Sequence, residues 1–174
     1  MRGINVKKIV FPFIFLLFLV SIQNSLFEFV RIFGVKPDIV LTFIICYTLI
    51  NGNPRGTVMG IAGGMLKDVF FGGVFGLNSI ACMICAYLIG IVEEKVYKDN
   101  IFIPSIFTFL GTILKELIVF ALLFVTRLNH ENFIESLTSV ILPEAIYNAV
   151  LAAILFKFFS RLNEKYFSDP AKMF

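Results

Sequence analysis

The sequence predicts an all-α, polytopic membrane helix bundle with six transmembrane helices and cytoplasmic N- and C-termini, in one integral membrane domain spanning residues 1–174. Three observations carry that prediction. First, 59% of the 174 residues are hydrophobic, 22 residues are Phe, and the mean hydropathy is +0.92. A soluble domain averages roughly 45–50% apolar residues, and a globule this small has too little interior to hide the excess. Second, apolar runs close to span length recur along the chain, separated by short polar or Gly/Pro/Asn-rich turns. Third, Lys and Arg fall unevenly once the N-terminus is placed inside: ten lie in inner segments and three in outer ones. That bias fits the positive-inside rule, and an even number of spans returns both ends to the same side.

The first span is expected over residues 9–30. Arg2, Lys7 and Lys8 precede an apolar run, as in a signal peptide. However, Ile9 to Phe27 holds 19 uncharged residues with no A-x-A-like site after it, so the segment reads as an uncleaved helix. Ser21, Asn24, Ser25 and Glu28 give its outer half a polar face. A connector, Arg31 to Lys36, leads to Pro37-Asp38, where proline suits a helix start. The second span, 39–50, is marginal for a hydrocarbon core of ~30 Å; were it re-entrant, only four or five spans would remain. Asn51-Gly52-Asn53-Pro54 is a turn. The third span covers 56–71, and a tight Gly72–Gly76 connector leads to the fourth, 77–92. Residues Glu93–Asn100 form a polar loop before the fifth span, 101–126. Arg127–Ser136 is the longest polar loop and contains the sole histidine, His130. The sixth span is expected over 139–158, followed by an amphipathic tail.

Polar residues inside the apolar runs mark the faces that turn inward. Gly56, Gly60 and Gly64 form small-xxx-small steps that let helix backbones approach closely in lipid, and the same ridge reaches Asp68. Helix five carries Ser105, Thr108, Thr112 and Glu116 on one face, with Gly111 and Lys115 beside it. Helix six carries Glu144, Asn148 and Ala152. At 1.5 Å rise per residue, Asp68, Glu116 and Glu144 all lie roughly 18–22 Å from the cytoplasmic side. A buried polar network of Lys67, Asp68, Lys115, Glu116, Glu144 and Asn148 is therefore expected, because isolated charges at that depth are costly. The alternative is that each lysine snorkels to its nearest headgroups.

No catalytic, metal or cofactor constellation is present in the sequence. There is no HExxH, no GxSxG elbow and no P-loop. Cys82 and Cys85 are spaced CxxC within an apolar run, but with no second ligand pair they read, like Cys46, as buried small hydrophobes. Lys67-Asp68 could in principle relay protons, yet adjacent helical residues point about 100° apart. The basic inner face needs no nucleic acid to explain it.

Three motifs, in order, resemble a known family. They are Lys36-Pro37-Asp38-Ile39-Val40-Leu41; then Gly60, Gly63-Gly64, Leu66-Lys67-Asp68-Val69-Phe70-Phe71-Gly72-Gly73, Phe75-Gly76-Leu77-Asn78; and finally Leu142-Pro143-Glu144-Ala145-Ile146-Tyr147-Asn148. Together they resemble the bacterial rod shape-determining membrane protein MreD family, over essentially the whole chain. The resemblance implies a non-enzymatic, multi-pass subunit of the cell (inner) membrane. It would work in the elongation machinery that directs side-wall peptidoglycan synthesis. Implied partners are the single-span protein MreC and, through it, MreB, RodA and a class B penicillin-binding protein, besides the lipid bilayer. A fold similar to the S components of energy-coupling-factor vitamin transporters is also implied. An S component is itself the rival functional reading, since a polar cluster in the outer half could serve a ligand pocket. A proton-coupled carrier using Asp68 and Glu116 is a third, against which no internal repeat is evident.

Overall fold

Apolar runs and turn residues resolve into six helices in the computed structural model, which describes residues 6–25, 34–72, 74–92, 102–126 and 133–162. They are α1 (Val6–Ser25), α2 (Ile39–Asn51), α3 (Arg55–Phe71), α4 (Leu77–Val92), α5 (Phe102–Val125) and α6 (Phe133–Leu162). Two of them, α5 and α6, are long and apolar enough to cross a membrane. The part of the first expected span beyond Ser25 lies outside the described residues, as do the loop Glu93–Asn100, Arg127 to Asn132 and the tail.

The bundle is built around α2. Eleven of its thirteen residues are buried, on every side of the helix. A helix that is apolar all round belongs in a core, and IVLTFIICYTLI is such a run. Its two threonines are compatible with burial because each hydroxyl donates one turn back, Thr42 to the Asp38 carbonyl (2.9 Å) and Thr48 to the Ile44 carbonyl (2.7 Å). The helix starts at Ile39, as expected of the second span and two residues after the proline. Asp38 is the N-cap, its carboxylate accepting from the Leu41 amide at 3.0 Å, and Pro37 sits just outside. A side-chain acceptor satisfies a free first-turn amide, which proline cannot do. At 13 residues α2 is roughly 20 Å long. Phe43 binds it to α1 and α6, its ring 5.1 Å from Phe15 and 5.2 Å from Phe159, both edge-on.

α3 runs antiparallel to both α2 and α4, and its glycines divide between the two. Gly56 faces Thr48 and Gly63 faces the Ile44 methyl on α2, while Gly60 meets the Cys82 carbonyl and Gly64 meets the Asn78–Ser79 backbone on α4. The expected single ridge Gly56–Gly60–Gly64 is thus two seams, which is why α3 tolerates so many glycines despite their cost in a helix interior. Gly72 ends α3 with φ 73° and Gly76 precedes α4 with φ 98°, conformations natural to glycine; Gly73 lies outside the described residues.

α6 begins six residues before the expected start of the sixth span. Phe133, expected in a polar loop, stacks edge-on against Phe120 of α5 at 4.9 Å, giving the early turn an apolar anchor. A π-helical turn follows at Leu137–Ile141, where the Leu142 amide reaches the Leu137 carbonyl. It lies next to Pro143, whose missing N–H would interrupt the α-helical ladder, and the extra residue re-phases the helix ahead of Glu144.

Candidate functional site

The polar interior gathers on Asp38. That residue caps α2 with one carboxylate oxygen and takes an ion pair from Lys67 of α3 with the other. Lys115 of α5 lies 3.9 Å from the same oxygen and also pairs with Glu116. Gln23 of α1 spans the cap, donating to Asp38 at 3.3 Å and accepting from the Val40 amide at 3.0 Å. Asn148 of α6 accepts from the Asp38 backbone amide at 2.7 Å and donates to Thr112 at 3.2 Å and to Glu144 at 3.5 Å. One loop residue therefore ties α1, α2, α3, α5 and α6 together.

Burial makes this arrangement consequential. Asp38, Lys67, Lys115 and Glu144 are 4–8% exposed and Asn148 is fully buried, whereas the Glu116 side chain is 20% exposed. Removing a charge from water costs several kcal/mol unless partners replace the solvent. Here two lysines face three carboxylates, with Glu144 within electrostatic reach of both lysines.

The expected single network divides at its most suggestive point. Lys67 joins Asp38, but Asp68 turns a different way and closes the α3–α4 hairpin. Its carboxylate accepts from the backbone amides of Gly76 (2.9 Å), Asn78 (3.1 Å) and Ser79 (3.1 Å), and from the side chains of Asn78 and Ser79, both at 3.0 Å. The physical reason is the roughly 100° between consecutive helical residues. Asp68 thus supplies, from the preceding helix, the first-turn acceptor that α4 lacks in its own sequence.

Of the expected network of Lys67, Asp68, Lys115, Glu116, Glu144 and Asn148, Lys67 and Lys115 meet at Asp38, Lys115 pairs with Glu116 and Asn148 reaches Glu144, while Asp68 turns to α4. Lys36, Pro37 and Asp38 are expected in the loop before the second span, yet Pro37 and Asp38 are buried and Asp38 is the hub. An acid directly before an apolar run is an N-cap signal, and it was the available clue. On α1 the polar residues Ser21, Asn24 and Ser25 are exposed, and the polar residue that reaches inward is Gln23. Glu28 lies outside the described residues.

The arrangement holds helices together. Within the cluster the buried polar groups are committed to one another, and the described residues contain no group of acids, histidines or cysteines able to hold a metal ion. Cys46, Cys82 and Cys85 are free thiols in the core. The outward faces of α5 and α6 remain apolar and exposed, with Ile106, Leu110 and Phe124 on the one and Val150, Ile154 and Phe158 on the other.

A family model for the rod shape-determining protein MreD matches residues 4–166, a stretch that includes all six helices and every residue of the Asp38 cluster. No curated protein and no solved structure matches the chain. From the match over nearly its whole length, the chain belongs to the MreD family of rod shape-determining membrane proteins.

Proposed function

We propose that this protein is a non-catalytic, multi-pass subunit of the cytoplasmic membrane that docks an MreC-like single-span protein. In this role it helps hold the side-wall peptidoglycan machinery, with MreB, RodA and a class B penicillin-binding protein, in place. The observation that carries the reading is the family match over residues 4–166. The geometry supports it: the polar interior is closed on itself, so a scaffold role needs no further chemistry. The whole chain acts as one membrane domain with six spans and both termini cytoplasmic, a topology supported by the ten-to-three bias of basic residues. Docking uses the apolar helix faces. The end of the first outer loop is less available than its sequence suggests, because Pro37 and Asp38 pack inward.

The vitamin-binding reading loses its main support at the same place. The cluster that could have lined a ligand pocket is filled by Asp38, Lys67, Lys115, Glu144 and Asn148 bonding one another. Affinity purification of the tagged protein from native membranes in mild detergent tests the proposal. Co-recovery of an MreC-like protein is the expected result. Recovery with an ATPase pair, and no MreC-like protein, would overturn it.

A further inference from the structure

The α3–α4 hairpin ends in an apolar tip. Phe70, Phe71, Val74 and Phe75 are 39–65% exposed there, and no charged residue lies between Asp68 and Glu93. A water-facing connector between two helices is normally polar, since backbone groups at a turn need solvent or side-chain partners. At this tip those partners are internal. The amides of Gly76, Asn78 and Ser79, which would open the first turn of α4 to water, all donate to Asp68 instead.

Length points the same way. α3 has 17 residues and α4 has 16, so each is roughly 24–26 Å long, short of a hydrocarbon core of ~30 Å, and tilt shortens the projection further. α5, with 24 residues, is roughly 36 Å and spans with length to spare. Both short helices are anchored at the opposite end, where Arg55 opens α3 and the acidic-basic run from Glu93 follows α4. The shortfall therefore falls entirely at the phenylalanine-rich tip.

We infer that the α3–α4 tip is sunk below the outer headgroup plane and contacts lipid acyl chains, so that the bilayer is locally thinned beside α3 and α4. This inference rests on the six-span topology proposed above. Irregular backbone at such a depth is viable only when its polar groups are satisfied within the protein, and the Asp68 carboxylate does this for the amides of Gly76, Asn78 and Ser79. The occupant of this surface is lipid, because the exposed groups are apolar and the amides of Gly76, Asn78 and Ser79 behind them are already used.

The chain contains no tryptophan, so single-tryptophan reporters are clean. Phe75→Trp, Val125→Trp (the far end of α5) and Ile154→Trp (mid-α6) are reconstituted separately into dioleoylphosphatidylcholine vesicles. Each is quenched either by lipids carrying a nitroxide at graded acyl depths or by aqueous iodide. The expected result is strong lipid quenching at positions 75 and 154, with iodide quenching at position 75 several-fold weaker than at position 125. Should position 154 be lipid-quenched while position 75 is as open to iodide as position 125, the sunken tip is excluded and the spanning topology stands. If position 154 escapes lipid quenching at every depth, the topology itself fails. Tyr87→Trp on α4, exposed in the structure, replaces Phe75→Trp as a depth marker if that variant does not fold. In that case the tip reading requires position 87 to quench near the cytoplasmic leaflet's headgroups, and quenching at the bilayer centre overturns it.

Discussion

Replacing Asp38 by Asn isolates charge from shape at the hub of the bundle. The amide oxygen of Asn can still accept from Leu41 and from Gln23, so the α2 cap survives. What disappears is the negative charge held against Lys67 and 3.9 Å from Lys115. Breaking a buried pair on one side typically costs about 3–5 kcal/mol, because the remaining charge is left buried without compensation. For a domain of this size each kcal/mol moves the melting temperature by about 2–4 °C, so a drop on the order of 10 °C follows. Thermal unfolding of the purified protein in detergent, followed by far-UV circular dichroism, measures it. The double variant Asp38→Asn/Lys67→Met removes the orphaned ammonium as well and should regain part of the loss, and the cycle of single and double variants gives the coupling. If Asp38→Asn melts within about 1 °C of the parent, the charge contributes nothing and the reasoning is refuted.

Four further outcomes follow from individual contacts. Asp68→Ala strips three amides and two side chains of α4 of their acceptor; a loss of about 2 kcal/mol is expected, with faster hydrogen exchange confined to the start of α4. Gly64→Ala puts a methyl into the Asn78–Ser79 backbone, which cannot move aside, whereas Gly63→Ala meets only the tip of Ile44. The first should lower stability by about 2 kcal/mol more than the second in the same melting assay. Asn148→Leu leaves the buried Asp38 amide without its acceptor and removes a donor to the Thr112 oxygen, and a loss of about 2–3 kcal/mol is expected. Thr108→Val runs in the opposite direction. The Thr108 hydroxyl is buried and without a hydrogen-bond partner among the described residues, so a melting temperature equal to or above the parent's is expected.

Much of the fold could be read from residue order. The bounds of α3, α4 and α5 lie within a residue of expectation because Pro54, Gly72, Gly76 and the apolar runs mark them chemically. The two-sided use of the α3 glycines was hidden, since a ridge on paper does not say which neighbour it meets. The early start of α6 was missed because Glu135 and Ser136 read as loop, while the Phe133–Phe120 contact that anchors them is a tertiary event. In the candidate site, helical rise put Asp68, Glu116 and Glu144 at one level. It could not reveal Asp38 as the common partner of Lys67, Lys115 and Asn148, because where a loop folds back depends on packing rather than on periodicity. The parting of Lys67 and Asp68 overturns the expected single network, although the helical angle between consecutive residues accounts for it.

The Asp38 hub also has a consequence for synthesis. Its partners lie 29, 77 and 110 residues further along the chain, at Lys67, Lys115 and Asn148. A ribosome delivers them in that order, so α2 leaves the tunnel with an uncompensated acid at one end and too few residues to cross lipid alone. That acid's charge is met once Lys67 and Lys115 have emerged, but its backbone amide waits for Asn148 on the last helix. A truncation ahead of α6 thus yields an intermediate whose Asp38 carboxylate keeps its lysines while its backbone amide has no acceptor.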